Sequence, residues 1–170
     1  MDKIRISKMM LAIGLGIMLS GLGAEALAQK APGRRHAKVV RVLPAGHKAI
    51  VVGGSKYHYH NGVYYRRGSS GYVVAPAPVG ATLVKLSPGF TMVVVAGTPY
   101  FYSHGAFYRQ NPRRNAYVVV AAPVGAIVPA LPATHQIAYV RGHKHYLAYG
   151  VYYQPIRRSG VVVYRVVRVG

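Results

Sequence analysis

Apolar β-forming residues dominate the chain from Leu43 onward, but never in long stretches. Val, Ile, Tyr and Phe come in runs of about five or six, and Gly, Pro or Asn interrupts them every six to ten residues or so. This rhythm predicts strands at Lys48–Val52, Ser55–His60, Val63–Arg67 and Gly71–Ala75. Asn61-Gly62 separates the second and third of these. That dipeptide suits a two-residue type I′ turn, because both central positions need positive φ. His104-Gly105 and Tyr149-Gly150 stand in the same place further along, at greater backbone cost.

The rhythm itself repeats. Aligned on its glycines and tyrosines, the chain contains three copies of one unit, beginning at Leu43, Leu86 and Leu131. Gly54, Gly97 and Gly142 correspond, as do Gly62, Gly105 and Gly150, and Tyr65, Tyr108 and Tyr153. A fixed period of about 44 residues marks a repeat architecture. The expected fold is all-β: three tandem units, 43–85, 86–130 and 131–170, each a short antiparallel meander around a Tyr-rich hairpin. They would assemble as packed sheets or as an array, with a β-trefoil-like barrel as the alternative. A propeller generally needs four blades or more.

The hairpin turn sets the expected register. Tyr59 opposes Tyr64, His58 opposes Tyr65 and Tyr57 opposes Arg66. In the second copy Tyr102 meets Phe107 and Tyr100 meets Arg109, and in the third Leu147 meets Tyr152 and His145 meets Gln154. The opposite face carries His58/Tyr65, Phe101/Tyr108 and Tyr146/Tyr153. Both faces are thus largely aromatic, one for a core and the other for a second packing layer or an exposed binding strip.

The N-terminus follows a different pattern. Lys3, Arg5 and Lys8 precede an uncharged apolar run from Met9 to Gly23, and Ala26-Leu27-Ala28 supplies a small-x-small cleavage signal. Residues 1–28 are therefore expected to be a secretory signal peptide, and 29–42 a basic disordered arm. The expected location is the periplasm, the outer membrane or the cell surface. No Cys is present, so no disulfide braces the fold.

Charge then changes the picture. The only acidic residues are Asp2 and Glu25, whereas 19 of the 22 Lys and Arg residues, all 15 Tyr and all 8 His lie from Gln29 onward. Glycosidase and aspartic-protease chemistry needs paired carboxylates, and a Ser-His triad needs an acid or amide to orient the histidine. An enzyme is therefore not expected, and neither is a cofactor. Arg66, Arg67, Arg109, Arg113, Arg114, Arg157 and Arg158 follow the hairpins of all three copies, beside Tyr57 and Tyr100. Guanidinium groups flanked by aromatic faces suit a polyanion. Export and the absence of RNA-binding motifs point to lipopolysaccharide, anionic lipid or glycan, not to a specific nucleic acid. Two alternatives stand beside this reading. One is an imidazole metal site at His58 and His60 or at His143 and His145, although His58 and His145 align with aromatic residues in the other copies and His60 aligns with Ser103 and Ala148. The other is self-association through strand edges.

Asn61-Gly62-Val63-Tyr64-Tyr65-Arg66 and the Gly71–Gly80 segment carry one further signal. They resemble the hallmark of an uncharacterised family of exported bacterial proteins, a domain of unknown function with Tyr-rich Asn-Gly hairpins and Val-Val-Ala-Pro-Pro-Val-Gly tails. The resemblance covers about residues 43–167 and implies an all-β repeat in the cell envelope, with no activity attached.

Overall fold

A computed structural model describes residues 39–169. The expected signal peptide and residues 29–38 of the expected arm lie outside the described residues. The described residues form three five-stranded antiparallel sheets. The first contains β1 (Val39–Val40), β2 (Lys48–Val52), β3 (Ser55–His60), β4 (Val63–Gly68) and β5 (Gly71–Ala75). The second contains β6 (Thr82–Leu83), β7 (Thr91–Val95), β8 (Thr98–Ser103), β9 (Ala106–Asn111) and β10 (Ala116–Val120). The third contains β11 (Ile127–Val128), β12 (Gln136–Val140), β13 (His143–Ala148), β14 (Val151–Arg158) and β15 (Val161–Val167). In each sheet a two-residue lead-in strand pairs with the last strand, and the chain then crosses to the far edge and meanders back. One repeat makes one sheet, so no trefoil barrel is needed.

Two boundaries differ from the sequence expectation. Val39–Val40 form β1, so the segment 29–42 is not a disordered arm throughout. The structural units also begin about four residues earlier than Leu43, Leu86 and Leu131. The tail of each sequence repeat hydrogen-bonds to the next sheet: Val119 N–H donates to Ala81 O at 2.8 Å, and Val166 N–H to Ala126 O at 2.8 Å.

The central hairpins take the expected register, with Tyr59 opposite Tyr64, Tyr102 opposite Phe107 and Leu147 opposite Tyr152. All three turns have positive φ at both central residues, including 49° at His104 and 52° at Tyr149. The Tyr59–Tyr64 and Tyr102–Phe107 rings sit 5.0 Å apart, tilted against each other. Such pairs contribute about 0.5–1.5 kcal/mol beyond the area they bury.

Each sheet presents two faces, and their assignment explains the double aromatic pattern. The first face of the first sheet (Tyr59, Tyr64) packs on the second face of the second sheet (Leu83, Ala106, Tyr108, Val119). The first face of the second sheet (Val93, Tyr102, Phe107) packs in turn on the second face of the third (Val128, Ala148, Tyr153, Val166). The middle sheet is thus covered on both sides, and Phe107, Tyr108 and Tyr153 are 1 % exposed or less. Neither the second face of the first sheet nor the first face of the third contributes to these two cores.

The crossing segments fasten each sheet to the next. Tyr59 OH shares a 2.7 Å hydrogen bond with Ser87 Oγ, and Tyr102 OH donates to Ala130 O at 2.8 Å. The third unit has Leu147 at this position and no such hydroxyl.

Candidate functional site

The predicted arginines fall at one end of every sheet. Arg66 and Arg67 end β4, Arg109 lies in β9, Arg113 and Arg114 form a 3-10 corner (Pro112–Arg114) before β10, and Arg157 and Arg158 end β14. All seven are exposed. The local reason is the meander: strand four of each unit turns into strand five here, and polar residues at a surface turn leave backbone and side chain in water. The corner at Asn115 is closed by a left-handed residue (φ 43°, ψ 50°), whose N–H donates to Pro112 O.

Two of these guanidiniums lie against tyrosine rings. Arg66 sits over Tyr57 at 5.6 Å, as the register implied. Arg67 lies over Tyr72 at 5.6 Å and donates from Nη1 to its hydroxyl at 3.3 Å. Neither contact neutralises charge. With Asp2 and Glu25 the only acids in the chain, no carboxylate side chain occurs in residues 39–169 to pair with any of them. In the second unit Arg109 and Arg113 flank an open groove of about 410 Å³, lined also by Gln110, Asn111, Pro112, Val118 and Val120. A groove with cationic walls and an apolar floor accommodates a phosphate or carboxylate together with the carbon chain or ring that carries it.

Tyr57 and Tyr100 take different roles. Tyr57 is half-buried beneath Arg66, whereas Tyr100 packs against the core between the second and third sheets. Arg41 was not singled out in the sequence. It follows β1, and its Cα would lie 3.4 Å from a Cβ built on Gly71, so it joins Arg66 and Arg67 at the first turn. The signal that could have found it is the repeat itself, because Val39–Val40 occupy the place of Thr82–Leu83 and Ile127–Val128.

The histidine pairs are not brought together. His58 and His60 lie on the second face of the first sheet, and His143 and His145 on the first face of the third. Among the described residues no group of three or more metal-ligating side chains is clustered. His58 instead belongs to a ladder of edge-to-face rings. His47–His58–Tyr72 in the first unit, Phe90–Phe101–Tyr117 in the second and His135–Tyr146–Tyr164 in the third have centroids 5.0–5.5 Å apart. His47 and His135 are oriented by Nδ1–H donating to Pro44 O and Pro132 O. His58 titrates below the usual histidine range, first because of desolvation and then because of His47 and Lys56 nearby. His145 donates from Nδ1 to His143 O at 3.0 Å.

The tyrosine hydroxyls inside the stack are held neutral. Burial raises Tyr64 to about 12 and pushes Tyr102, Tyr108 and Tyr153 higher still. Tyr108 OH donates to Tyr64 OH at 3.3 Å across the first core. Tyr153, its counterpart in the second core, shares that core with Phe107, which stands where Tyr64 does in the first, and its hydroxyl has no hydrogen-bond partner.

The ends of the hairpins opposite the arginine turns converge. A Cβ on Gly62 (φ 86°) would lie 2.5 Å from His104 Nδ1, and one on Gly105 (φ 92°) would lie 2.5 Å from Pro132 Cγ and 3.1 Å from Tyr149 Cε2. The tips of the first two hairpins are therefore each covered by the unit that follows, whereas Gly150 at the third meets nothing within 4 Å. The gap between the tips is a cavity of about 200 Å³. No curated protein and no solved structure matches the chain. A family profile does match, over residues 34–170 and so over all three sheets, and the chain belongs to that family of unknown function, DUF6515.

Proposed function

We propose that this chain is an exported, non-enzymatic protein of the cell envelope that holds an anionic surface or polymer, such as lipopolysaccharide, anionic lipid or an acidic glycan, through its arginine turns. The observation that carries the reading is the placement of Arg66, Arg67, Arg109, Arg113, Arg114, Arg157 and Arg158, all exposed, at the same end of each sheet in a region without a carboxylate side chain. Charge that only kept the protein soluble would need neither this periodic placement nor a sequence free of compensating acids. The groove at Arg109 and Arg113 and the Tyr-backed guanidiniums at Arg66 and Arg67 give the charge fixed geometry. The leader-like N-terminus supports export.

The test is retention on vesicles containing anionic lipid, and on lipopolysaccharide, across a salt series, comparing wild type with the Arg109/Arg113/Arg114→Ala variant. Near an anionic surface each basic residue contributes about 1 kcal/mol, so removing three weakens binding about 100-fold at low salt. Binding that ignores salt, or that survives the triple substitution unchanged, rejects the proposal. Fractionation of the expressing cell into periplasm, outer membrane and medium tests the location independently.

A further inference from the structure

We infer that a groove at the junction of the first and second sheets binds a phosphate monoester, the dianionic group carried by a sugar phosphate or a phosphatidic acid headgroup. The groove measures about 300 Å³. It is lined by Lys48, Tyr59, His60 and Asn61 of the first unit and by Lys85 and Ser87 of the segment that follows β6. It lies at the hairpin-tip end of the first sheet, because Asn61 belongs to the tip and Lys48 stands directly across from Tyr59. The arginine turns are at the other end of the sheet, so the inference does not rest on them.

The polar side chains of the groove can all donate a hydrogen bond, and none is acidic. Lys48 and Lys85 are exposed, and residues 39–169 contain no carboxylate side chain to neutralise them. Tyr59 OH and the half-buried Ser87 Oγ share one hydrogen bond of 2.7 Å, which leaves one of their two hydroxyl hydrogens to donate elsewhere. Asn61 Nδ2 donates to His60 Nε2 at 3.1 Å, and its amide keeps a second N–H. Two ammonium groups match a phosphate monoester, which carries about −1.5 to −2 charge at pH 7 and three strong acceptor oxygens. Leu86 and Pro88 add an apolar wall for the carbon skeleton of the ester.

The junction of the second and third sheets shows that the fold itself does not demand these groups. Its strands repeat those of the first junction, with β7 in the place of β2 and β11 in the place of β6. Counted from those strands, Thr91 replaces Lys48, Ala130 replaces Lys85 and Pro132 replaces Ser87. There Tyr102 OH is satisfied by a backbone carbonyl, that of Ala130, and no cation stands at either lysine position. Charge that served only solubility could occupy any exposed position. Instead two lysines from different sheets' segments meet at one groove, beside a hydroxyl pair and an amide.

The test uses the whole chain and two carriers of the group, a hexose 6-phosphate in solution and vesicles containing phosphatidic acid. The hexose phosphate should bind saturably, one to one, in calorimetric titration, and it should shift the backbone amide NMR signals of Asn61 and Ser87. Lys48→Gln and Lys85→Gln should each weaken binding about tenfold, the lower end for a hydrogen bond to a charged group. Lys144→Gln, which removes a lysine outside the groove, should leave it unchanged. Both groove lysines are exposed, so these variants should keep the wild-type melting temperature. Binding of vesicles alone, weakened tenfold or more by Lys48→Gln/Lys85→Gln and not by Lys144→Gln, would assign the group to a lipid headgroup and support the site equally. Ester binding lost in Arg109/Arg113/Arg114→Ala but kept in Lys48→Gln/Lys85→Gln would place the ester at the arginine turns, overturning this inference while sustaining the proposed function. Absence of saturable binding of either carrier, or equal binding by Lys144→Gln and Lys48→Gln/Lys85→Gln, would overturn it as well.

Discussion

Tyr108 and Tyr153 occupy equivalent positions in the two cores, and both are fully buried. Of the two, only Tyr108 has a hydroxyl partner, Tyr64, and the second core has Phe107 at the position equivalent to Tyr64. The same chemical change should therefore have opposite effects at the two sites. Tyr108→Phe removes a 3.3 Å hydrogen bond. That bond is long, so its loss costs about 0.5–1 kcal/mol. Tyr153→Phe removes a hydroxyl buried without compensation, a burden of about 1–3 kcal/mol in proteins, less the packing lost with one oxygen atom. A net gain of about 1 kcal/mol is expected, equivalent to a rise of about 3 °C in Tm for a domain of this size. Equilibrium urea unfolding of both single variants and of the Phe107→Tyr/Tyr153→Phe double variant provides the measurement. Phe107→Tyr alone should make Tyr153→Phe unfavourable, because it creates the missing partner. If Tyr153→Phe destabilises as much as Tyr108→Phe, the account of the second core is wrong.

Three further outcomes follow from the same packing. Gly62→Ala should cost well over 1 kcal/mol, since it combines left-handed φ with a clash against His104, whereas Gly150→Ala meets nothing within 4 Å and should cost only the backbone penalty of about 1 kcal/mol. A difference in urea midpoints checks this, and equal losses would refute the role of tip convergence. Tyr64 has a raised folded pKa, so the folded state keeps its proton longer than the unfolded chain. Stability is therefore complete below pH 10 and falls as pH rises from 10 to about 12, which melting curves in that window should record. His58 has the opposite linkage: its folded pKa is lowered, so its contribution is present above the ordinary histidine pKa of 6.5 and is lost on acidification. His58→Phe, which copies Phe101, should flatten the melting-temperature profile between pH 7 and 5.

Much of the fold can be read from the sequence because each strand of the meanders is bounded by a residue with a specific backbone preference. Asn61-Gly62 sets a turn, the turn sets the Tyr59–Tyr64 register, and the register places Arg66 over Tyr57. The lead-in strands are not legible in this way. Two residues such as Val39–Val40 or Thr82–Leu83 show no periodicity, and only their pairing with β5 and β10 makes them strands. The aromatic residues on both faces were visible, but not their cause, because alternation cannot distinguish a sheet covered on both sides from one with an exposed strip. The arginine turns follow directly from sequence position. The cavity does not, since it depends on how Gly62 meets His104 and Gly105 meets Pro132, which is set by the packing of whole sheets.

Leu147 has a consequence for how such a chain can lengthen. In the first two units the equivalent Tyr59 and Tyr102 hydroxyls fasten the following segment, and the following unit covers Gly62 and Gly105. A cassette duplicated from the middle of the gene would arrive with both of its surfaces already matched to its neighbours. One appended after the third sheet would meet Leu147, with no hydroxyl to fasten it, together with His145, Gln154 and Arg165 on the same face. Internal duplication of the middle unit is therefore chemically permitted. The first face of the third sheet thus lacks the hydroxyl with which the first faces of the other two fasten the segment that follows them.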